Sequence, residues 1–280
     1  MTERLTEFSH DGLWFDVVDS GPLDGPVIIA LHGFPQRASS WAGVTPWLSD
    51  AGYRVLAFDQ RGYSPRAQPP AVEDYRLDRL ADDVLALADA VGSTTFHVLG
   101  HDWGGMVAWY LASRDPDRVL TVSVASTPHP RALIAALAGP QALRSWYMGV
   151  FQVPGLPERV FRARGGAVAR RFLTASGASA AAVEVGVDLL ADPATARGAL
   201  NWYRASRLPV QPPASRVRVP TLYVWSDEDA ALGGQAALLT ARWVTGPYRF
   251  EILTGVSHWI PEERPAELAR LVLDRIHNPA

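Results

Sequence analysis

Six short β-rich runs alternate with longer helical stretches along this chain, and no other feature limits its fold as strongly: PVIIALHG, YRVLAFD, TFHVLGHD, LTVSVAST, PTLYVWSDED and FEILTGVSH. Helical patterns lie near Ser40–Ala51, over Leu77–Val91, onward from Gly104, and at Pro265–Ile276. A parallel return between strands needs a crossover long enough to hold a helix, so this order predicts a mostly parallel sheet covered by helices. After Thr127 the alternation breaks. From about Pro128 to Ser215 the text is helical, with ALIAALAGPQAL and AAAVEVGVDLLAD, before strand patterns resume. The expected organisation is therefore a core in two parts, 1–127 and 216–280, with a helical insert over 128–215. Prolines in STPHP and PVQPPASRVRVP flank the insert and suit hinges, since proline interrupts both helix and ladder.

Composition narrows the function classes. The 280 residues are 48% hydrophobic and 20% charged, ordinary for a folded domain and unlike a disordered tail or fibrous repeat. Net charge is −3, and all 26 cationic side chains are thinly spread arginines, so no basic stripe offers itself to nucleic acid or an anionic membrane. Without cysteine there is no disulfide, thiolate nucleophile or cysteine-ligated metal. Without lysine there is no Schiff base and no Walker-type phosphate loop. The segment MTERLTEFSHDG is charged where a signal peptide is apolar, and no run of about 18 apolar residues occurs. The expectation is a cytoplasmic protein without membrane insertion.

One strand runs straight into chemistry. Gly100-His101-Asp102-Trp103-Gly104-Gly105 stands between TFHVL and the helical MVAWYLA, a small-x-nucleophile-x-small-small pattern at a strand-to-helix turn. The glycines allow a tight turn and close helix packing, and the turn exposes its central side chain, here Asp102. An aspartate before a first helical turn can also be a plain N-cap, but the surrounding glycines favour the nucleophile. His32-Gly33-Phe34-Pro35 follows another apolar strand, where the amides of Phe34 and Trp103 would converge as an oxyanion hole. His258, in a loop after FEILTG, is the best base, while His97, His101, His10 and His277 suit packing or surface roles. Among the three acids of SDED, Asp229 has the offset that orients a histidine, with Asp227 and Glu228 as solvated neighbours.

The chain order of nucleophile 102, acid 229 and histidine 258 is that of α/β-hydrolases. Within them the sequence resembles the soluble epoxide hydrolases through His32-Gly33-Phe34-Pro35, Gly100 to Met106 and the Gly255–His258 loop. The resemblance covers nearly the whole chain and enters the insert, where Trp146-Tyr147 precedes Phe151-Gln152-Val153-Pro154-Gly155 and Asn201-Trp202-Tyr203-Arg204 closes it. It implies an eight-stranded, mostly parallel sheet with a helical cap, and it places Tyr147 and Tyr203 on the epoxide oxygen. As bare residues those tyrosines would read as core. Trp146, Phe151 and Trp202 imply an apolar substrate pocket. The expected reaction joins a small hydrophobic epoxide and water to a vicinal diol through an Asp102 ester, with no metal or organic cofactor.

Haloalkane and haloacid dehalogenases are the nearest rivals, because they share the aspartate nucleophile and the indole of Trp103 can hold a halide. Phe34, however, offers no side-chain donor to a halide. An esterase would need serine at the elbow. A non-catalytic receptor would have no use for an intact acid, histidine and nucleophile.

Overall fold

The computed structural model describes residues 3–209 and 215–280. Strands β1 (Glu7–His10), β2 (Leu13–Ser20), β3 (Val27–Leu31), β4 (Arg54–Phe58), β5 (Phe96–His101), β6 (Val119–Ala125), β7 (Thr221–Ser226) and β8 (Tyr248–Leu253) form one sheet in the order β1-β2-β4-β3-β5-β6-β7-β8. From β4 to β8 every pairing is parallel, and only β1–β2 and β2–β4 are antiparallel. The central strands β3, β4 and β5 are buried along their whole length, as expected of a sheet covered on both faces.

The alternating strand and helix patterns of the sequence account for β3 to β8. The amino-terminal hairpin escaped them, although Asp11-Gly12 at its turn takes positive φ at both residues, the geometry a two-residue hairpin needs. The helix expected near Ser40–Ala51 is instead a 3₁₀ turn, Ala38–Trp41, followed by α1, Thr45–Asp50. Gly43 lies between them with Pro265 packed against its Cα, and Pro46 restarts the helix in its first turn.

Helices α2 (Leu77–Ala90) and α3 (Trp103–Arg114) cross between strands as expected. Between β6 and β7 come α4 (Pro130–Ala136), α5 (Gln141–Arg144), α6 (Trp146–Phe151), α7 (Leu156–Ala175), α8 (Ala180–Ala191) and α9 (Pro193–Ala205). The α7 helix breaks at Ala163–Gly166, where Arg164, Gly165 and Gly166 take positive φ. After β7 come α10 (Gly234–Leu239), α11 (Ile260–Glu263) and α12 (Pro265–His277). Of the expected hinge prolines, Pro212 and Pro213 lie outside the described residues. Among the described residues no helix is long and apolar enough to cross a membrane.

Two details of the sheet position the loops at its carboxyl edge. Leu31 lies opposite Gly100 in the parallel β3–β5 register, so the segments leaving the carboxyl ends of both strands emerge side by side. The strand order reverses direction about β3, and open α/β sheets present a crevice at such a point.

Candidate active site

Asp102 sits on the turn between β5 and α3 with φ 51° and ψ −121°, a strained conformation for a residue with a Cβ. The turn closes only because α3 can press on the neighbouring strand. A Cβ on Gly104 would stand 2.1 Å from the Leu31 carbonyl oxygen. On the facing segment a Cβ on Gly33 would lie 2.4 Å from the Asp102 Cβ. Glycine at 33 is thus what lets the next amide reach the carboxylate: Phe34 N–H donates to Asp102 Oδ1 at 2.7 Å. His32 fixes this segment from beneath, its Nδ1 on the Gly33 carbonyl at 3.0 Å and its Nε2 accepting the Gln60 amide at 3.1 Å. The Trp103 amide is first in α3, where an N–H has no intrahelical carbonyl to meet.

His258 Nε2 lies 3.5 Å from the second oxygen, Asp102 Oδ2. Its Nδ1 lies 2.8 Å from Asp229 Oδ2, while Asp229 Oδ1 accepts the amides of Ala231 and Leu232, each at 2.8 Å. Asp229 is therefore buried with both oxygens hydrogen-bonded, as a buried carboxylate requires. Asp227 faces outward and, among the described residues, accepts the Gly255 amide, and Glu228 is exposed. Burial works against the imidazolium of His258, yet Asp229 and Asp102 outweigh it and hold the ring well above its ordinary value. Burial likewise works against the Asp102 carboxylate, and the bond and charge of His258, with His101 and the Phe34 amide, hold it below the usual range.

A cavity of about 260 Å³ opens on Asp102 and His258, lined by Phe34, Trp146, Tyr147, Tyr203, Phe172 and Trp259 among others. Tyr147 comes from α6 and Tyr203 from α9, with ring centroids 6.2 Å apart. Burial raises both phenols well above their ordinary value, so they stay protonated donors at neutral pH. A narrow cleft of about 30 Å³ past Met106 and Met148 also touches Asp102, Trp103 and both tyrosines.

The three aromatic residues expected to touch substrate do not act alike. Trp146 lines the cavity at its mouth and is 66% exposed. Phe151 is buried behind the site instead, packed on Phe34, Tyr147 and Tyr203 at 5.7, 5.3 and 4.9 Å. Trp202 is buried as well, its indole donating to the Arg61 carbonyl at 2.8 Å, and it borders a hollow of about 700 Å³ beyond Trp103 that shares Trp103, Met106 and Met148 with the narrow cleft. On α9 neighbouring residues point about 100° apart, and Tyr203 lines the cavity while Trp202 lies toward the hollow beyond Trp103.

Sequence reasoning missed several residues that hold the site. Thr127 Oγ1 donates to the Asp102 carbonyl at 2.8 Å, and Ser126 Oγ donates to the His258 carbonyl at 2.7 Å. Gln36 and Glu262 meet beneath the loops that carry Phe34 and His258, at 2.6 Å. The two lie 226 positions apart, and no local pattern links them.

A family model of the alpha/beta hydrolase fold matches residues 26–265. The AB hydrolase superfamily protein YfhM of Bacillus subtilis is 35% identical over 277 residues, 96% of each chain. Epoxide hydrolase A of Mycobacterium tuberculosis is 33% identical, covering 98% of this chain and 96% of its own. The crystal structure of epoxide hydrolase A from Mycobacterium thermoresistibile superposes with a TM-score of 0.85 at 28% identity, over 98% of both chains.

Proposed function

The chain belongs to the alpha/beta hydrolases, in the epoxide hydrolase family, and from that membership we propose that it adds water to an apolar epoxide through an ester on Asp102. The observation that carries this reading is the split environment of the Asp102 carboxylate, one oxygen on the Phe34 amide and the other facing His258, beneath two protonated tyrosines. An ionised carboxylate attacks saturated carbon without a base, which suits ring opening rather than acyl transfer. Oδ2 is the oxygen that bonds to carbon, because Oδ1 already lies where the ester carbonyl must be held. As the ring C–O bond breaks, Tyr147 and Tyr203 hydrogen-bond the departing oxygen and one gives it a proton.

Ester formation removes the charge of Asp102, so His258 loses one of the two carboxylates that kept it protonated. Its proton leaves and makes good the one lost by the tyrosine. Neutral His258, with Nδ1–H on Asp229, then takes a proton from water as the water oxygen attacks Asp102 Cγ. The amides of Phe34 and Trp103 hold the oxyanion. When the tetrahedral species collapses, the ester C–O bond breaks and the diol oxygen takes the proton from His258; the second water proton, left on the Asp102 carboxyl, then passes to His258 and restores the resting ion pair.

We assign residues 128–215 as the cap, since α6 and α9 carry Tyr147 and Tyr203 over the carboxyl ends of the strands; 1–127 and 216–280 are the core. Dehalogenation is not favoured: Phe34 offers a halide nothing but its amide, and the relatives of the chain include epoxide hydrolases. The test is His258→Gln with styrene oxide. An adduct of substrate mass on the Asp102 peptide is expected, and diol made in a single turnover with no adduct refutes the two-step scheme.

A further inference from the structure

Beneath the catalytic loops lies a buried polar chain that the two chemical steps do not use. Gln36 Oε1 faces two donors, the Gly33 amide and His101 Nδ1, each at 2.9 Å. Its amide nitrogen must therefore point the other way, to Glu262 Oε1 at 2.6 Å, and that contact needs an acceptor, the carboxylate. At the far end His101 Nε2 meets the His258 carbonyl at 2.9 Å, the same oxygen that Ser126 Oγ donates to. Gly33 precedes the oxyanion amide of Phe34, and His258 is the base. One carboxylate thus stands behind both.

We infer that Glu262 is a positioning residue for ester hydrolysis: through Gln36 it fixes the Gly33–Phe34 segment, and through His101 it fixes the backbone of His258. The inference rests on the proposed two-step reaction through Asp102. Burial also sets the protons along this chain. Burial and the charge of His258 pull His101 down to about 4, while Asp102, the His258 carbonyl and Asp229 pull the other way. Both ring nitrogens face acceptors, and a neutral ring would leave a bare nitrogen against an oxygen at 2.9 Å. The neutral ring donates at one of these contacts only, so its tautomer depends on which neighbour, Gln36 Oε1 or the His258 carbonyl, holds the N–H more firmly. A proton on Oε2, the oxygen without a partner, leaves Oε1 to accept from Gln36, but the bond loses its charge assistance and holds the Gln36 amide less firmly.

Glu262 is also placed to titrate. Its Oε2 is sealed from solvent and has no hydrogen-bond partner among the described residues. Burial raises the carboxyl to about 7, with Glu263 adding to the rise and Gln36 and His258 opposing it. On the side away from the substrate cavity, a pocket of about 150 Å³ brings Gln36, Glu262, exposed Arg37 and, from the edge of α8, Ser179 together. Among these neighbours Arg37, Glu263 and His258 are the charged or titratable groups that face Glu262, besides His101 beyond Gln36.

The test separates the two chemical steps and adds a readout that needs no substrate. Rapid-quench kinetics of Glu262→Ala should show ester hydrolysis slowed about tenfold or more while ester formation changes by no more than about twofold. Glu262→Gln keeps an acceptor for Gln36, so it should hydrolyse at nearly the parental rate at pH 8 but lose the inflection near pH 7. In ¹⁵N spectra the His101 ring should shift through that same pH in the parent and stay flat in Glu262→Gln. An alanine variant that slows both steps equally, or a Glu262→Gln variant that titrates like the parent, overturns the inference; should alanine fail to fold, Glu262→Gln decides. If the parent forms no Asp102 adduct at all, the two-step reading falls, while the ¹⁵N titration still reports on the network.

Discussion

Asp229→Asn replaces one atom in the buried pair behind His258, and the structure fixes what that atom does. Asp229 Oδ1 accepts two amides at 2.8 Å, and Oδ2 meets His258 Nδ1 at 2.8 Å. An asparagine must choose which side receives its single oxygen. Turning NH₂ toward Ala231 and Leu232 would sacrifice two hydrogen bonds to buried amides, each worth about 2 kcal/mol, so the oxygen stays there with a preference of about 4 kcal/mol. NH₂ then faces His258, and the ring must accept on Nδ1 and carry its proton on Nε2, the nitrogen that has to take one from water. Only the minor rotamer leaves a working base, and about 4 kcal/mol corresponds to a population near one in a thousand. Ester hydrolysis should fall about a thousandfold. Ester formation needs no base and should fall far less, through the weaker charge on the imidazole alone. Single-turnover rapid quench with mass spectrometry of the intact protein should then find the Asp102 ester accumulating. Hydrolysis at the parental rate, or a loss confined to ester formation with no ester building up, would refute this tautomer reasoning.

Other expectations rest on the same geometry. With both tyrosines on one oxygen, either Tyr→Phe change leaves a donor, whereas the Tyr147→Phe, Tyr203→Phe double variant should lose much more than the roughly hundredfold, about 3 kcal/mol, that one preorganised donor supplies; rapid quench of ester formation checks it, with hydrolysis nearly untouched. Gly33→Ala would set a Cβ 2.4 Å from that of Asp102, so chemical denaturation should show a loss of about 3 kcal/mol or more, or adduct formation should vanish as the Phe34 amide is pushed away. Glu262 has its folded value raised from 4.5 to about 7, so the folded state holds the proton longer and stability falls as pH rises between them, by about 3 kcal/mol in all. Glu262→Gln should accordingly melt above the parent at pH 8, with the difference shrinking toward pH 4.5.

The sequence by itself determined the core of this protein because its signals are local. A strand buried on both faces must be apolar along its length, as VIIAL and RVLAF nearly are, and a turn that exposes Asp102 must carry glycines where α3 presses on Leu31. Those constraints act within a few residues, so the strand-to-helix turn at Asp102, the Gly33–Phe34 segment beside it and the six parallel strands were legible. Choosing Asp229 over Asp227 needed an offset rule, and the structure supplies the reason: only Asp229 turns inward, onto the Ala231 and Leu232 amides. Tertiary structure alone decided the rest. Whether Trp146, Phe151 or Trp202 meets the cavity depends on how each helix is rotated over the sheet, and an aromatic residue looks the same in sequence whether it faces substrate or core. The link from Glu262 through Gln36 and His101 to His258 joins residues from three separate segments, and hydrogen-bond partners that distant are set by packing, which leaves no periodicity to read.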